Sequence, residues 1–157
     1  MITYPIPGSD QYLVLTPNVL QRFTKYQQTR WWHREAGGQL FARFHLPRVT
    51  LEEATGPRRS DWRTRYSYHP NRRAEQREIA DRHPQDLHFV GDWHTHPEPI
   101  PEASTCDADS MRELVAKSKH ALNGFIMIIV GTESFPTGLS VAFYTRAHRI
   151  LLHPLAI

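Results

Sequence analysis

Residues 91–107 read GDWHTHPEPIPEASTCD and gather two histidines, a serine, a cysteine and two aspartates around a proline-rich loop. His94 and His96 stand two apart in a stretch that reads as a strand, so both point to one face while Thr95 points to the other. Two imidazole nitrogens on one face can converge on a single ion at about 2.0–2.1 Å. A third ligand is available in Asp107, because the ten residues after His96 are enough for the chain to fold back. By residue type Asp109 and Asp92 are rivals for that place, and Glu98 and Glu102 read as rim residues. Two histidines and one carboxylate suit zinc or non-haem iron.

Other readings compete for the same stretch. Ser104 and Asp107 form an S-x-x-D start to a helix over Ser110 to His120, in which the serine caps a backbone N–H. That role and a role beside the histidines are compatible. Cys106 lies near the imidazoles that a cysteine nucleophile needs, but it reads better as a small residue on the first helical turn. An H-E-x-x-H helix and a P-C-x-x-C element are both missing from the sequence, which argues against zincin and deaminase sites.

The elements that must position these residues follow from pattern. Thr16-Pro17 is an N-cap followed by proline at the first helical position, with Val19, Leu20, Phe23 and Tyr26 at helical spacing. GGQLFARF and RVTLEEAT read as strands joined at Leu46-Pro47, and Trp62 to Tyr68 as a third strand by its alternation. NRRAEQREIADRH reads as a solvated helix supported by a Glu78–Arg82 pair. LHFVGDWHTH is a strand stopped by Pro97, FIMIIVG a buried central strand, and LSVAFYTR and RILLH complete the sheet. The fold class expected is α/β (α+β), a single mixed sheet flanked by helices, in one domain over 1–157.

Composition narrows the function classes. A content of 39% hydrophobic and 22% charged residues is that of a globular chain able to bury a core. The longest apolar run, Phe125 to Val130, falls far short of the roughly 20 residues that span a bilayer, and the start MITYPIPGSD has no signal-peptide pattern. One cysteine fits a reducing compartment, so a cytoplasmic protein with no membrane partner is expected. Lysine occurs only at 25, 117 and 119, leaving sixteen arginines among the 19 basic residues. These could grip carboxylates with guanidinium forks, or reflect a compositional bias. RRSDWRTRYSYHPNRR interleaves arginine with aromatics as a nucleic-acid surface does, yet a half-buried strand explains it too, and nucleic acid is not the expected partner. Trp31 and Trp32 could form an exposed patch, though burial in the core is the expectation for at least one of them.

His94-Thr95-His96-Pro97, the seven positions Pro97 to Ala103, and Ser104-x-x-Asp107 together resemble the JAMM motif of the JAB/MPN metalloprotease family. REAGGQLFARF resembles that family's upstream glutamate before paired glycines, which places Glu35; Ala42 stands where a glycine often closes the first hairpin. VGDWHTHPEP looks most like the short bacterial branch, found beside ubiquitin-like and E1-like proteins and in CBASS-type antiphage operons. The resemblance implies a cytidine-deaminase-like JAB/MPN fold and one Zn²⁺ held by His94, His96 and Asp107, with a fourth position for water. It implies that Glu35 is a general base rather than a ligand, and that Ser104 hydrogen-bonds the oxyanion. The activity implied is removal of a ubiquitin-like protein or conjugate from a lysine, with E1/E2-like operon neighbours as partners. A non-catalytic binding module and a peptidase acting on a sulfur-carrier tail are the alternatives. Gly37 and Gly38, lacking side chains, would let an extended peptide approach along a strand edge by β-augmentation, and Trp93 is a candidate wall of the substrate site.

Overall fold

The computed structural model describes residues 1–102 and 124–156. The helix expected over Ser110 to His120, with Ser104, Cys106, Asp107 and Asp109, lies outside the described residues. The N-terminal segment, for which no strand is expected from the pattern, forms β1 (Ile2–Pro5) and β2 (Tyr12–Leu15), a hairpin around the Gly8 turn. Then come α1 (Pro17–Tyr26), β3 (Gly37–His45), β4 (Arg48–Ala54), β5 (Trp62–Arg63), β6 (Tyr68–His69) and α2 (Arg72–Arg82). After a short 3-10 turn follow β7 (His88–Thr95), β8 (Phe125–Val130), β9 (Leu139–Tyr144) and β10 (Arg149–Leu152).

Eight strands form one mixed sheet in the order β1-β2-β4-β3-β7-β8-β9-β10, with parallel pairs at β2–β4 and β7–β8. The mixed sheet with helical cover is as expected. Thr16 caps α1, and Val19 and Phe23 of that helix are fully buried against the sheet. Phe23 and Tyr26 close over Trp93, with ring centroids at 5.1 and 6.3 Å. The opposite face carries Phe41, Phe89 and Asp92, and α2 crosses it with the Arg82 guanidinium 4.9 Å from the Phe41 ring centroid. A register shift between Leu40 and Phe41 lets Phe89 and Asp92 share that face despite their odd spacing.

Three expectations are corrected. Trp62 to Tyr68 is not a strand but a tight reversal: Thr64 N donates to Ser67 O at 2.9 Å, so only the short pair β5–β6 forms. Its aromatic alternation leaves Trp62 and Tyr66 exposed. Glu78 and Arg82 do not pair through their side chains; Arg82 forks onto Glu53 and Glu78 accepts from Arg58. Glu53 and Arg58, brought near by the fold, thus take the places that the helical neighbours would have filled. Trp31 and Trp32 are 78% and 60% exposed, packed edge-to-face on one another on a surface turn.

Many arginines serve the fold itself. Arg58 forks onto Glu78, with Nη2 2.6 Å from Oε2, and also reaches Asp61 at 3.2 Å. Burial tends to raise the Asp61 pKa, but hydrogen bonds from Arg58 N, Asn71 N and the Tyr68 hydroxyl, together with the Arg58 charge, hold it below the usual 3.8. Substituting Arg58→Ala strands two carboxylates and is expected to cost about 3–5 kcal/mol in urea denaturation. The carboxyl's folded pKa is depressed, so its contribution is present above the ordinary aspartate range. It fades as pH falls through the lower folded value, and the difference between wild type and variant should shrink on acidification.

Candidate active site

The register of β3 against β7 builds the site. Gly37 pairs with His94 and Gly38 with Trp93, so the chain just before β3 runs antiparallel to the chain just after β7. Ala36 and Thr95 continue the ladder: Thr95 N donates to Ala36 O at 2.8 Å, and Ala36 N donates to Thr95 Oγ1 at 2.9 Å. One step further, Glu35 comes opposite His96. Donor atoms of Glu35, His94 and His96 lie within 4.8 Å of one another.

The two imidazole Nε2 atoms are 3.1 Å apart. Two ligands at 2.0–2.1 Å on a tetrahedral ion are separated by about 3.3 Å, so the pair is spaced for a shared ion without rearrangement. Neutral imidazoles and a carboxylate are the donor types zinc takes. His96 Nδ1 lies 3.3 Å from Glu98 Oε1, within ion-pair distance. Glu98, with its side chain 52% exposed, stands at the rim as expected, near His96. Glu102 is exposed, as a rim residue should be.

Glu35 is buried and held through its backbone. Its N–H donates to Thr64 O at 2.7 Å, and Arg63 Nε donates to its carbonyl at 2.8 Å. Behind it, Thr95 Oγ1 donates to Gln28 Oε1 at 2.7 Å, and Gln28 Nε2 donates to Arg65 O at 2.8 Å. Thr95, Gln28, Arg63 and Thr64 thus fix the glutamate against the histidines. Sequence reading passed over all four because their partners are distant in the chain.

Asp92 sits two residues before His94 on the same face. Its Oδ1 is out of reach of solvent and makes no hydrogen bond among the described residues. Burial, then the negative charge of Glu75, pushes its pKa up to about 7, against the pull of Arg72 and Arg58. A carboxyl directed at α2 in this way is not placed to be the third ligand.

The structure revises the roles expected of Gly37, Gly38 and Trp93. Strand β3 has no free edge there, since β7 covers one side and residues 55–56 the other. A Cβ on Gly38 would lie 1.8 Å from Thr55 O, and one on Gly37 2.7 Å from Trp93 O and from the Tyr68 ring. The glycines admit these internal neighbours rather than a substrate strand. Trp93 is 1% exposed and donates from Nε1 to Thr55 O at 2.8 Å, so it belongs to the core and not to a substrate wall.

A family model describing prokaryotic homologs of the JAB domain matches residues 17–144, which include Glu35, both histidines and their framing strands. The chain belongs to this JAB-domain family. Among curated relatives, a protein from Escherichia coli (strain TW11681) named CD-NTase/cGAS isopeptidase is 27% identical over 139 residues, covering 87% of this chain and 86% of that one. A protein of the same name from Pseudomonas aeruginosa (strain BWHPSA011 / Pa011) is 29% identical over 110 residues, covering 68% of this chain and 70% of that one. The solution structure of a Desulfitobacterium hafniense protein aligns with a TM-score of 0.63 at 16% identity, covering 88% of each chain, which shows a shared fold. Among the described residues no helix is long and apolar enough to cross a membrane.

Proposed function

We propose that this JAB-domain protein is a zinc-dependent isopeptidase that hydrolyses the bond between the C-terminus of a ubiquitin-like or other conjugated protein and a lysine amine. The observation that carries the reading is the convergence of Glu35 with His94 and His96 across the β3–β7 register. The names of the two relatives add support for isopeptidase chemistry.

His94 and His96 would hold the ion, with Asp107 as the third ligand by its place in the motif. With zinc bound, the site gains a Lewis acid that polarises the scissile carbonyl and acidifies water. Glu35 takes a proton from the attacking water and delivers it to the departing amine as the C–N bond breaks, leaving a carboxylate and a free lysine. Ser104 donates to the oxyanion. The conjugate to try first is one carrying a CD-NTase, in a bacterial antiphage setting with E1/E2-like neighbours. A cytoplasmic location fits one cysteine in 157 residues.

Incubating the zinc-loaded protein with a CD-NTase conjugate, and weighing the products by mass spectrometry, tests this. Two intact proteins should appear, one with a free C-terminal carboxylate and one with a free lysine, and a chelator should stop the reaction. Release of a single amino acid or short tail would indicate carrier processing instead. A zinc-loaded protein inert on every conjugate tried would favour a binding module.

A further inference from the structure

A second feature adjoins the backbone of Glu35, whose carbonyl accepts from Arg63. A pocket of about 270 Å³ opens between the end of α1 and the 32–34 turn, and Lys25, Arg34 and Arg63 line it with Tyr26 and Trp32. Among the described residues no acidic side chain lines it, and none of its three cations has a carboxylate partner. This contrasts with Arg43, Arg58, Arg72 and Arg82, each paired to a carboxylate of the chain.

Two of the cations, Arg63 and Lys25, are positioned by contacts that do not neutralise them. Arg63 spends Nε on Glu35 O and approaches Arg34 O with Nη2 at 3.5 Å, while its Nη1 makes no hydrogen bond among the described residues. Its guanidinium carbon is 5.9 Å from the Tyr26 ring centroid, and Lys25 Nζ is 5.4 Å from the same ring. The facing turn is pinned by Arg65, whose Nη1 donates to Arg30 O at 3.0 Å and Trp31 O at 2.6 Å. Partial burial and then the like charge of Arg34 push the Arg63 pKa down, a repulsion that a bound anion would relieve. The pocket is thus a cationic cup that no acid among the described residues compensates.

We propose that this pocket binds an acidic side chain, aspartate or glutamate, of the protein conjugate and so anchors the substrate beside the catalytic glutamate. Its size suits one carboxylate with its stem, and guanidinium forks match carboxylates bidentately. A nucleic acid would call for a cationic stripe tracking several phosphates, whereas these three cations converge on one cup. Only the origin of the anion rests on the isopeptidase reading; the binding itself does not need catalysis.

The test is an NMR titration of the full-length protein, with ¹⁵N-labelled backbone, arginine Nε and indole groups. The probes are the peptide Ac-Gly-Glu-Glu-Gly-NH₂, its glutamine isostere, inorganic phosphate and a thymidine oligonucleotide. The glutamate peptide should shift the Arg63 Nε and Trp32 indole signals, and the glutamine peptide should not. The double variant Lys25→Glu, Arg34→Glu, at two exposed positions, should weaken the peptide at least about tenfold, the loss of roughly one charge-assisted contact. Glu35→Gln should bind it as wild type does, so a failure of the hydrolase reading would leave this result standing. Equal shifts with both peptides, binding of phosphate alone, tighter binding of the oligonucleotide, or no shifts at all would each overturn the proposal.

Discussion

The variant Glu35→Ala is expected to keep its metal and lose about 10²–10⁴-fold in cleavage rate, the range a positioned general base supplies. The expectation rests on how the residue is held. Its backbone is tied to Arg63 and Thr64, and the adjacent Ala36 to Thr95, so the carboxyl is delivered to the histidines with little freedom. Truncating the side chain leaves those backbone bonds intact, and the fold should be unaffected. Metal analysis of the purified variant, with single-turnover cleavage beside wild type, separates the two roles open to a carboxylate near two imidazoles. Metal retained with cleavage lost is the signature of a base. Metal lost together with cleavage would make Glu35 a ligand, and wild-type cleavage would remove it from the mechanism.

The second large effect is expected at the histidines. His96→Ala removes one of two nitrogens that stand 3.1 Å apart. A site with one imidazole fewer should not retain zinc at micromolar concentrations, and cleavage should fall to background. There is also a readout independent of catalysis. Zinc that binds only the folded protein stabilises it by about 2.7 kcal/mol at a hundred times Kd, so zinc should raise the Tm of wild type and leave that of His96→Ala unchanged. Equal zinc-induced shifts in the two proteins would show that the metal sits elsewhere.

These two predictions differ in how far they could be read from the chain. The histidine pair is local: alternation along one strand puts positions 94 and 96 on the same face whatever the rest of the fold does, and the structure places their nitrogens within one ion's reach. Glu35 has no such local warrant. A glutamate before two glycines is ordinarily a solvated turn residue, and only the resemblance to the JAB/MPN pattern singled it out. Its convergence with residues about sixty positions later depends on which strands pair and in what register.

The same distinction accounts for the corrections. The continuous apolar run FIMIIV correctly marks β8 because both of its faces are covered, but at Trp62 to Tyr68 alternation accompanies a Thr64–Ser67 reversal with only the short β5–β6 pair behind it. Gly37 and Gly38 report close approach, as glycines in strands do. What approaches, the Thr55 backbone and Tyr68 rather than a substrate, was decided by the return of the chain after β4. The arginines were ambiguous for a related reason. An ion pair is chosen by which carboxylate the fold brings near, so composition could not separate Arg58, committed to Asp61 and Glu78, from Arg34, committed to none among the described residues.

By itself, then, the sequence determined the mixed sheet with helical cover, the histidine pair on one strand face, and the family pattern joining them to Glu35, Ser104 and Asp107. These rest on short-range periodicity and spacing, which every turn of chain carries within itself. Tertiary structure alone decided that β3 lies inside the sheet, that Trp93 is core, that Thr95, Gln28 and Arg63 fix the glutamate, and that one cationic pocket beside it remains uncompensated. Those follow from strand order and register, which bring together groups tens of residues apart and which no local pattern encodes.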